Sequence, residues 1–160
     1  MPLDSVDRRI LDVLQVEGRL ANVALAERVH LSPSPCLRRV KGLEGDGVIT
    51  GYRAMLDREA IGLGLTGFIE IKVEGHSEKL ASELEKAVAK MPEVVSAYLV
   101  SGAADFLLEV VVPDLRSYER LLLGKLLALP GVHDVRSNFA IRTVKAPSPL
   151  PLSHLTGSAR

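Results

Sequence analysis

The second half of the chain contains an internal repeat, and this repeat restricts the fold more than any other feature of the sequence. Phe68 and Phe106 each open a predicted apolar strand and lie 38 positions apart. The same offset separates Pro92 from Pro130, and each proline follows a predicted helix and precedes a strand. Two copies of a strand-helix-strand unit predict the order β-α-β-β-α-β, which forms a four-stranded antiparallel sheet.

The predicted elements also indicate how this sheet is covered. They are a strand at 65–74, a helix at 78–90, strands at 94–101 and 105–112, a helix at 115–127 and a strand at 132–144. Each helix has one apolar stripe, so both helices can pack on the same face in a ferredoxin-like α+β fold. The strand at 106–112 is apolar on both sides, which is unusual for a sheet with one wet face. We expect a second copy of the chain to cover the other face in a symmetric dimer, the alternative being the N-terminal domain.

The N-terminal region predicts three short helices. Apolar residues recur at helical spacing from Val6 to Val16, behind the capping candidate Asp4. Asn22 can cap a second helix. Ser32, followed by proline at the first helical position, predicts a third helix at 33–44. A tight turn between the second and third helices is typical of a helix-turn-helix.

The remaining boundaries follow from glycine, proline and serine. A short strand is expected at 48–53, which makes the first domain a winged helix-turn-helix. The last 16 residues are rich in proline and serine and contain no acidic residue, so an extended or disordered arm is expected. The predicted divisions are a DNA-binding domain at 1–54, a hinge at 55–64, the ferredoxin-like domain at 65–144 and the arm at 145–160.

The third predicted helix has the residue types that DNA recognition needs. Lys+Arg and Asp+Glu both number 20, so any affinity for DNA must come from local clusters of charge. Leu37, Val40 and Leu43 are expected to face the core. In a major groove, arginines reach guanine edges or phosphates, and hydroxyls at a helix N-terminus meet phosphate. The alternative is a charged helix face that is only solvated. The predicted DNA-binding residues are Asn22, Ser32, Ser34, Pro35, Arg38, Arg39 and Lys41.

The connection between the two central strands is a second candidate site. It runs from Ser101 through Gly102 to Asp105 and has small side chains. As a turn, it needs a glycine at positive φ and an aspartate that caps the backbone. As a site, it offers backbone amides and a carboxylate to the carboxyl and ammonium groups of a free amino acid.

Little else in the sequence indicates chemistry. The four histidines lack metal-ligand spacing, and the single cysteine, Cys36, cannot form a disulfide within the chain. The G-x-G-x-x-G string from Gly62 to Gly67 leads into a strand rather than a helix, so no dinucleotide is expected there. We predict no metal, no cofactor and no enzyme activity. The first residues do not resemble a signal peptide, and a cytoplasmic protein is expected.

Several of these segments resemble the Lrp/AsnC, or feast/famine, family of transcription regulators, most closely its leucine-responsive branch. The resemblance extends from Leu3 to Leu152. Its most specific parts are Leu3-Asp4, Asp7–Leu11, Gly18-Arg19, Leu31–Lys41, Leu43-Glu44, Gly47–Ile49, Leu99–Gly102, Asp105–Leu108 and Leu129–Val132.

The resemblance implies dimers that form through the sheets and assemble into tetramers or octamers. It also implies an amino acid bound between dimers near Gly102 and Asp105, and it extends the predicted effector site to Tyr98, Ser101 and Ser137. We therefore expect a regulator whose assembly or binding to double-stranded DNA responds to an amino acid such as leucine or methionine. The alternatives are a subunit similar to haem-precursor decarboxylases, and a metabolite-binding oligomer whose helix-turn-helix serves only assembly.

Overall fold

Two compact units make up the structure, a computed structural model that describes residues 3–75 and 78–156. The first unit combines the described residues up to Met55 with those from Lys145 onward, and the second runs from Leu56 to Val144. In chain order the elements are α1 (Ser5–Leu14), α2 (Asn22–Arg28), α3 (Pro33–Gly45), β1 (Leu65–Val73), α4 (Glu78–Val88), β2 (Val94–Leu99), β3 (Phe106–Val112), α5 (Leu115–Leu121), a π-helical turn (Leu122–Leu126), β4 (Val132–Phe139) and a 3-10 turn (Ser153–Thr156).

A reciprocal cap fixes the start of α1. The Asp4 carboxylate accepts hydrogen bonds from the backbone N–H groups of Val6 and Asp7, both at 2.8 Å. The Asp7 carboxylate accepts one in return from the backbone N–H of Asp4 at 3.1 Å. This capping box satisfies N–H groups that have no partner within the helix. The predicted role of Asp4 as a cap is confirmed.

The start of α2 differs from the prediction. Asn22 is the first helical residue rather than the cap, and the capping position belongs to Ala21, which makes no side-chain cap. The turn that joins α2 to α3 contains His30, the one described non-glycine residue with positive φ, at 57°. Alanine and histidine therefore occupy positions where a capping residue and a glycine are more usual.

The apolar core of the first unit lies between its three helices. Its fully buried members include Ile10, Leu25, Val29 and Cys36. The predicted strand at 48–53 is wrong, and within residues 3–55 the structure has no strand. The N–H groups of Val48 and Ile49 instead donate to the carbonyl of Leu43 at the end of α3. A strand needs a partner for its backbone groups, and the described residues of this unit supply none, so residues 48–53 do not form a wing.

The described part of the arm, residues 145–156, packs against the rest of this unit. The Leu150 backbone exchanges two hydrogen bonds with the side chain of Gln15, which lies at the end of α1. Leu152 packs against the helical core. The arm is thus part of the same unit as the three helices.

The second unit confirms the topology that the repeat predicts. Its strands lie in the order β2-β3-β1-β4, and every neighbouring pair is antiparallel. Ile69, Ile71 and Leu108 are buried together with Leu84 of α4 and Tyr118 of α5, so the helices cover this face of the sheet.

The opposite face carries apolar and charged residues together. Phe68 and Tyr98 lie on this face, 41% and 59% exposed. Glu109 accepts a hydrogen bond from Arg58 and another from Ser96, each at 2.8 Å. One face is therefore a packed core, and the other is a mixed surface.

The last strand and the last helix differ most from their predicted bounds. The last strand ends at Phe139 rather than at residue 144. Just beyond this end, the N–H of Ala140 donates to the carbonyl of Thr66, and β1 begins one residue before Thr66, at Leu65. Residues after 141 therefore have no β1 residue opposite them. The last helix becomes a π-helical turn after Leu121. No helix among the described residues is long and apolar enough to cross a membrane.

Candidate DNA interface and effector site

The exposed side of α3 presents a continuous stripe of four residues. Ser34, Leu37, Arg38 and Lys41 follow the i, i+3, i+4, i+7 spacing that places side chains on one helix face. All four are exposed. Among the described residues, neither Arg38 nor Lys41 has an acidic partner within ion-pair distance. We call this set the reading stripe; it carries two free cations and a hydroxyl.

The core side of α3 is rotated relative to the prediction. Cys36 and Leu43 are buried and Val40 packs beside them, whereas Leu37 is 42% exposed. A step of three residues turns a helix by only 300°, so a three-residue stripe drifts away from the core at each step. The i, i+4, i+7 spacing of Cys36, Val40 and Leu43 holds one face. The prediction that Leu37 faces the core is therefore wrong.

Arg39 is bound within the protein. One guanidinium nitrogen, Nη1, donates to Oδ2 of Asp4 at 2.7 Å and to Oδ1 of Asp7 at 2.8 Å. Asp7 is only 3% exposed. The hydrogen bonds that Arg39 donates to Asp7 and Asp4 raise the pKa of Arg39. The pKa of Asp4 is lowered, chiefly by the backbone N–H of Asp7 and further by Arg39. Arg39 thus ties α3, which we call the reading helix, to the first turn of α1.

Asn22 holds the other end of the reading helix. Its side-chain Nδ2 donates to the carbonyl of Pro33, the first residue of α3, at 2.9 Å. Ser32 occupies the capping position of α3 as predicted, but its side chain makes no capping hydrogen bond and it is exposed. Pro35 is half-buried. Burial raises the pKa of the Cys36 thiol, which keeps it protonated and unreactive.

Four of the predicted effector residues lie in or beside the β2-β3 hairpin. Gly102 has a φ of +133°, and a side chain there would meet open space. The Asp105 carboxylate accepts a hydrogen bond from the backbone N–H of Val73 at 2.9 Å. Ser101 is exposed, and Tyr98 lies on the adjoining edge strand. Asp105 therefore caps the end of β1, and the space beside Gly102 is open.

The structure does not bring Ser137 to this hairpin within one chain. Ser137 lies on β4, the opposite edge strand, and its hydroxyl hydrogen bonds to Tyr118 of α5. Its side chain faces the helices, whereas Tyr98 is on the other face of the sheet, because its neighbours across the strands are Leu107, Glu70 and Arg136. An effector role for Ser137 would need a second copy of the chain and stays a prediction.

A cleft lies between α4 and the edge strand β2. Its volume is about 410 Å³, and its lining includes Val88, Val95, Leu99 and Phe106. Of the predicted effector residues, only Tyr98 contributes to it. The cleft is mainly apolar and is open along β2.

These features define a class of protein: a helix-turn-helix whose second helix, α3, carries cations with no acidic partner in the part of the chain that the structure describes, joined to a ferredoxin-like domain. Family models agree with both halves. The AsnC-type helix-turn-helix domain matches residues 3–44, and the Lrp/AsnC ligand binding domain matches residues 66–150. The chain belongs to the Lrp/AsnC family of DNA-binding transcription regulators.

Individual relatives cover nearly the whole chain. The leucine-responsive regulatory protein of Escherichia coli K12 is 43% identical over 143 residues, which is 89% of this chain and 87% of the relative. The DNA-binding transcriptional activator DecR of Escherichia coli K12 is 40% identical over 150 residues, 94% of this chain and 99% of the relative.

A solved structure agrees at the level of the backbone. A transcriptional regulator from Neisseria meningitidis in complex with L-Met has a TM-score of 0.91 and 42% identity, and the match covers 96% of this chain and 99% of that one. The predicted family and the α+β fold with an N-terminal helix-turn-helix are confirmed.

Proposed function

We propose that this chain regulates transcription by reading a specific DNA sequence with α3 and that a free amino acid, leucine or methionine, controls its DNA binding or its assembly. The observation that carries the DNA half is the reading stripe. Arg38 and Lys41 are exposed cations without an acidic partner among the described residues, on the helix that a helix-turn-helix inserts into the major groove.

The predicted DNA-binding residues divide into two roles. Arg38 is free to make a bidentate contact with guanine or to reach a phosphate, and Lys41 to contact a phosphate. Ser32 and Ser34 lie at the N-terminal end of α3, where hydroxyls and backbone N–H groups can meet a phosphate.

Two further predicted residues, Asn22 and Arg39, position the helix instead. Each donates to a group inside the protein, and each fixes a different part of α3. Their loss should weaken DNA binding indirectly, through the placement of the reading stripe.

The assembly that we propose is a symmetric dimer through the open face of the sheet. Phe68 and Tyr98 give this face exposed apolar area, and Glu109 with Arg58 gives it charge. A dimer presents two reading helices, which suits a pseudo-palindrome with half-sites about one helical turn apart. Dimers would assemble further into tetramers or octamers in the cytoplasm.

The effector site that we propose is the β2-β3 hairpin with Tyr98, Ser101, Gly102 and Asp105. The open backbone at Gly102 can donate to a carboxylate, and Asp105 can accept from an ammonium group. The regulator from Neisseria meningitidis, solved with L-Met, supports an amino acid as the ligand class. Such a ligand can act only by binding one assembly state more tightly than another. No other cofactor, metal or catalytic role is part of the proposal.

A gel-shift titration tests both halves. The probe is the DNA upstream of the protein's own gene, with and without leucine and methionine. We expect a sequence-specific shift that one of the amino acids alters. No shift at low salt would contradict DNA reading, and a shift indifferent to both amino acids would contradict the effector assignment.

The variant Asp105→Asn sharpens the second half. An asparagine keeps an oxygen that can accept from the N–H of Val73, but it removes the charge that would bind an ammonium group. We expect an unchanged melting temperature and a lost response to the amino acid. A wild-type response in this variant would contradict the assignment of Asp105.

A further inference from the structure

The reading stripe contains one apolar residue that is not part of the core of its unit. Leu37 is 42% exposed and lies among Ser34, Arg38 and Lys41 on the outer side of α3. A single exposed leucine is ordinary on a protein surface. This one lies at the centre of the surface that the proposed function places against DNA, and the core of its unit is completed by Cys36 and Leu43 instead.

Sequence-specific binding needs contacts that differ between base pairs. The cations and hydroxyls of the reading stripe suit guanine edges and phosphates, but thymine presents another feature in the major groove. Its C5-methyl group is recognised by apolar side chains. Leu37, which directly precedes Arg38 on the same stripe, supplies the kind of branched, uncharged side chain that contacts this methyl group.

We propose that Leu37 is a specificity-determining residue that contacts the methyl group of a thymine in the major groove. This inference rests on the proposed DNA-binding function and adds the base that the apolar part of the stripe recognises. The contact removes the methyl group and part of the leucine from water, an effect of about fourfold in affinity for each thymine contacted.

Replacing thymine by uracil in the probe removes only the methyl group. Wild-type protein is titrated against the upstream duplex made with thymine and against the same duplex made with uracil. We expect wild-type protein to bind the uracil duplex at least about fourfold more weakly. Leu37→Ala should bind the thymine duplex more weakly and lose the difference between the two duplexes.

Two control variants separate this contact from general effects of the methyl groups on DNA shape. Leu37→Met keeps an apolar side chain of similar volume and should retain the preference for thymine. Val16→Ala truncates an apolar residue that is 70% exposed but lies after α1, off the reading helix, and it should behave as wild type. Melting curves confirm that each variant is folded.

The outcomes distinguish this inference from the proposed function. Wild-type protein that binds both duplexes with equal affinity would overturn the role of Leu37 and leave DNA reading intact. A Leu37→Ala variant that keeps the wild-type preference for thymine would also overturn it, because the preference would then come from another contact. Wild-type protein that binds neither duplex at low salt would contradict the proposed function itself.

Discussion

Replacing either of two neighbouring arginines on α3 by alanine should have different effects, one on DNA affinity and the other on stability. Arg38 is exposed and has no acidic partner among the described residues, whereas Arg39 bridges Asp4 and Asp7. We expect Arg38→Ala to weaken DNA binding without changing stability. We expect Arg39→Ala to destabilise the first unit, with weaker DNA binding as a consequence.

The contacts of Arg39 set the size of the effect. Hydrogen bonds to charged groups contribute about 1.5 to 3 kcal/mol, and removing one partner of a fully buried ion pair costs about 3 to 5 kcal/mol. Asp7 is 3% exposed, but the Arg39 side chain is 34% exposed, so water can replace part of the lost interaction. We expect Arg39→Ala to cost about 2 kcal/mol, or roughly 8 to 15 °C in the melting temperature of a unit of this size.

The matching estimate for Arg38 concerns binding rather than folding. Exposed substitutions of this kind change stability by about 0.5 kcal/mol or less. If Arg38 makes a bidentate base contact, its loss weakens DNA binding by about 1 to 3 kcal/mol. Thermal unfolding followed by circular dichroism and fluorescence-anisotropy titration of the upstream DNA measure the two quantities on the same preparations.

A double-mutant cycle isolates the ion pair. In an Asp7→Asn background, Arg39→Ala should cost clearly less stability than in the wild type, because the buried charge that it leaves unpaired is gone. If Arg39→Ala melts at the wild-type temperature and loses as much DNA affinity as Arg38→Ala, then Arg39 contacts DNA directly and our division of roles is refuted.

Three further predictions concern folding. Gly131→Ala should cost about 2 to 5 kcal/mol, measured by urea unfolding, because φ is +73° and the new Cβ would lie 2.2 Å from a methyl carbon of Leu80; a cost below 1 kcal/mol would contradict this packing. Leu152→Ala should speed hydrogen exchange at the backbone N–H of Leu150, whereas Leu150→Ala, whose side chain is 71% exposed, should not; equal rates would mean that the arm is not anchored. Folding lowers the pKa of Asp4, so the stability that the Asp4 carboxylate contributes is complete above the ordinary pKa of about 3.9 and is lost as pH falls through the lower folded value. In an Asp4→Asn variant, the melting temperature should therefore fall less steeply with acid than in the wild type. The same pH dependence in both proteins would refute this.

The sheet domain was largely readable from the sequence because its signals are local and occur twice. The repeat at Phe68 and Phe106 predicts four strands and two helices, and the structure has them in the predicted order. The end of β4 was not readable, because it depends on where β1 begins, some seventy residues earlier. Strand length is a property of the pair, whereas the sequence pattern describes one strand at a time.

The sequence predicts which residues lie on the candidate DNA interface, but not which of them are paired within the protein. The sequence predicts that Arg38 and Arg39 are both available, since both are cations on one short helix. Their difference depends on Asp4 and Asp7, which lie more than thirty residues away and pair with Arg39 but not with Arg38. An i, i+4, i+7 stripe that starts at Cys36 leaves Leu37 beside the outer face, so this rotation follows from the sequence alone.

The central claim is that the reading stripe of α3 selects a DNA sequence. Comparing the affinities for two duplexes tests it most directly. Wild-type protein and Arg38→Ala are titrated against the upstream duplex and a scrambled duplex of the same composition at one salt concentration. We expect wild-type protein to prefer the upstream duplex by about a thousandfold or more, and Arg38→Ala to lose at least about fivefold of that preference, which corresponds to about 1 kcal/mol. Equal affinity of the wild-type protein for the two duplexes, or no binding to either at low salt, would contradict the account.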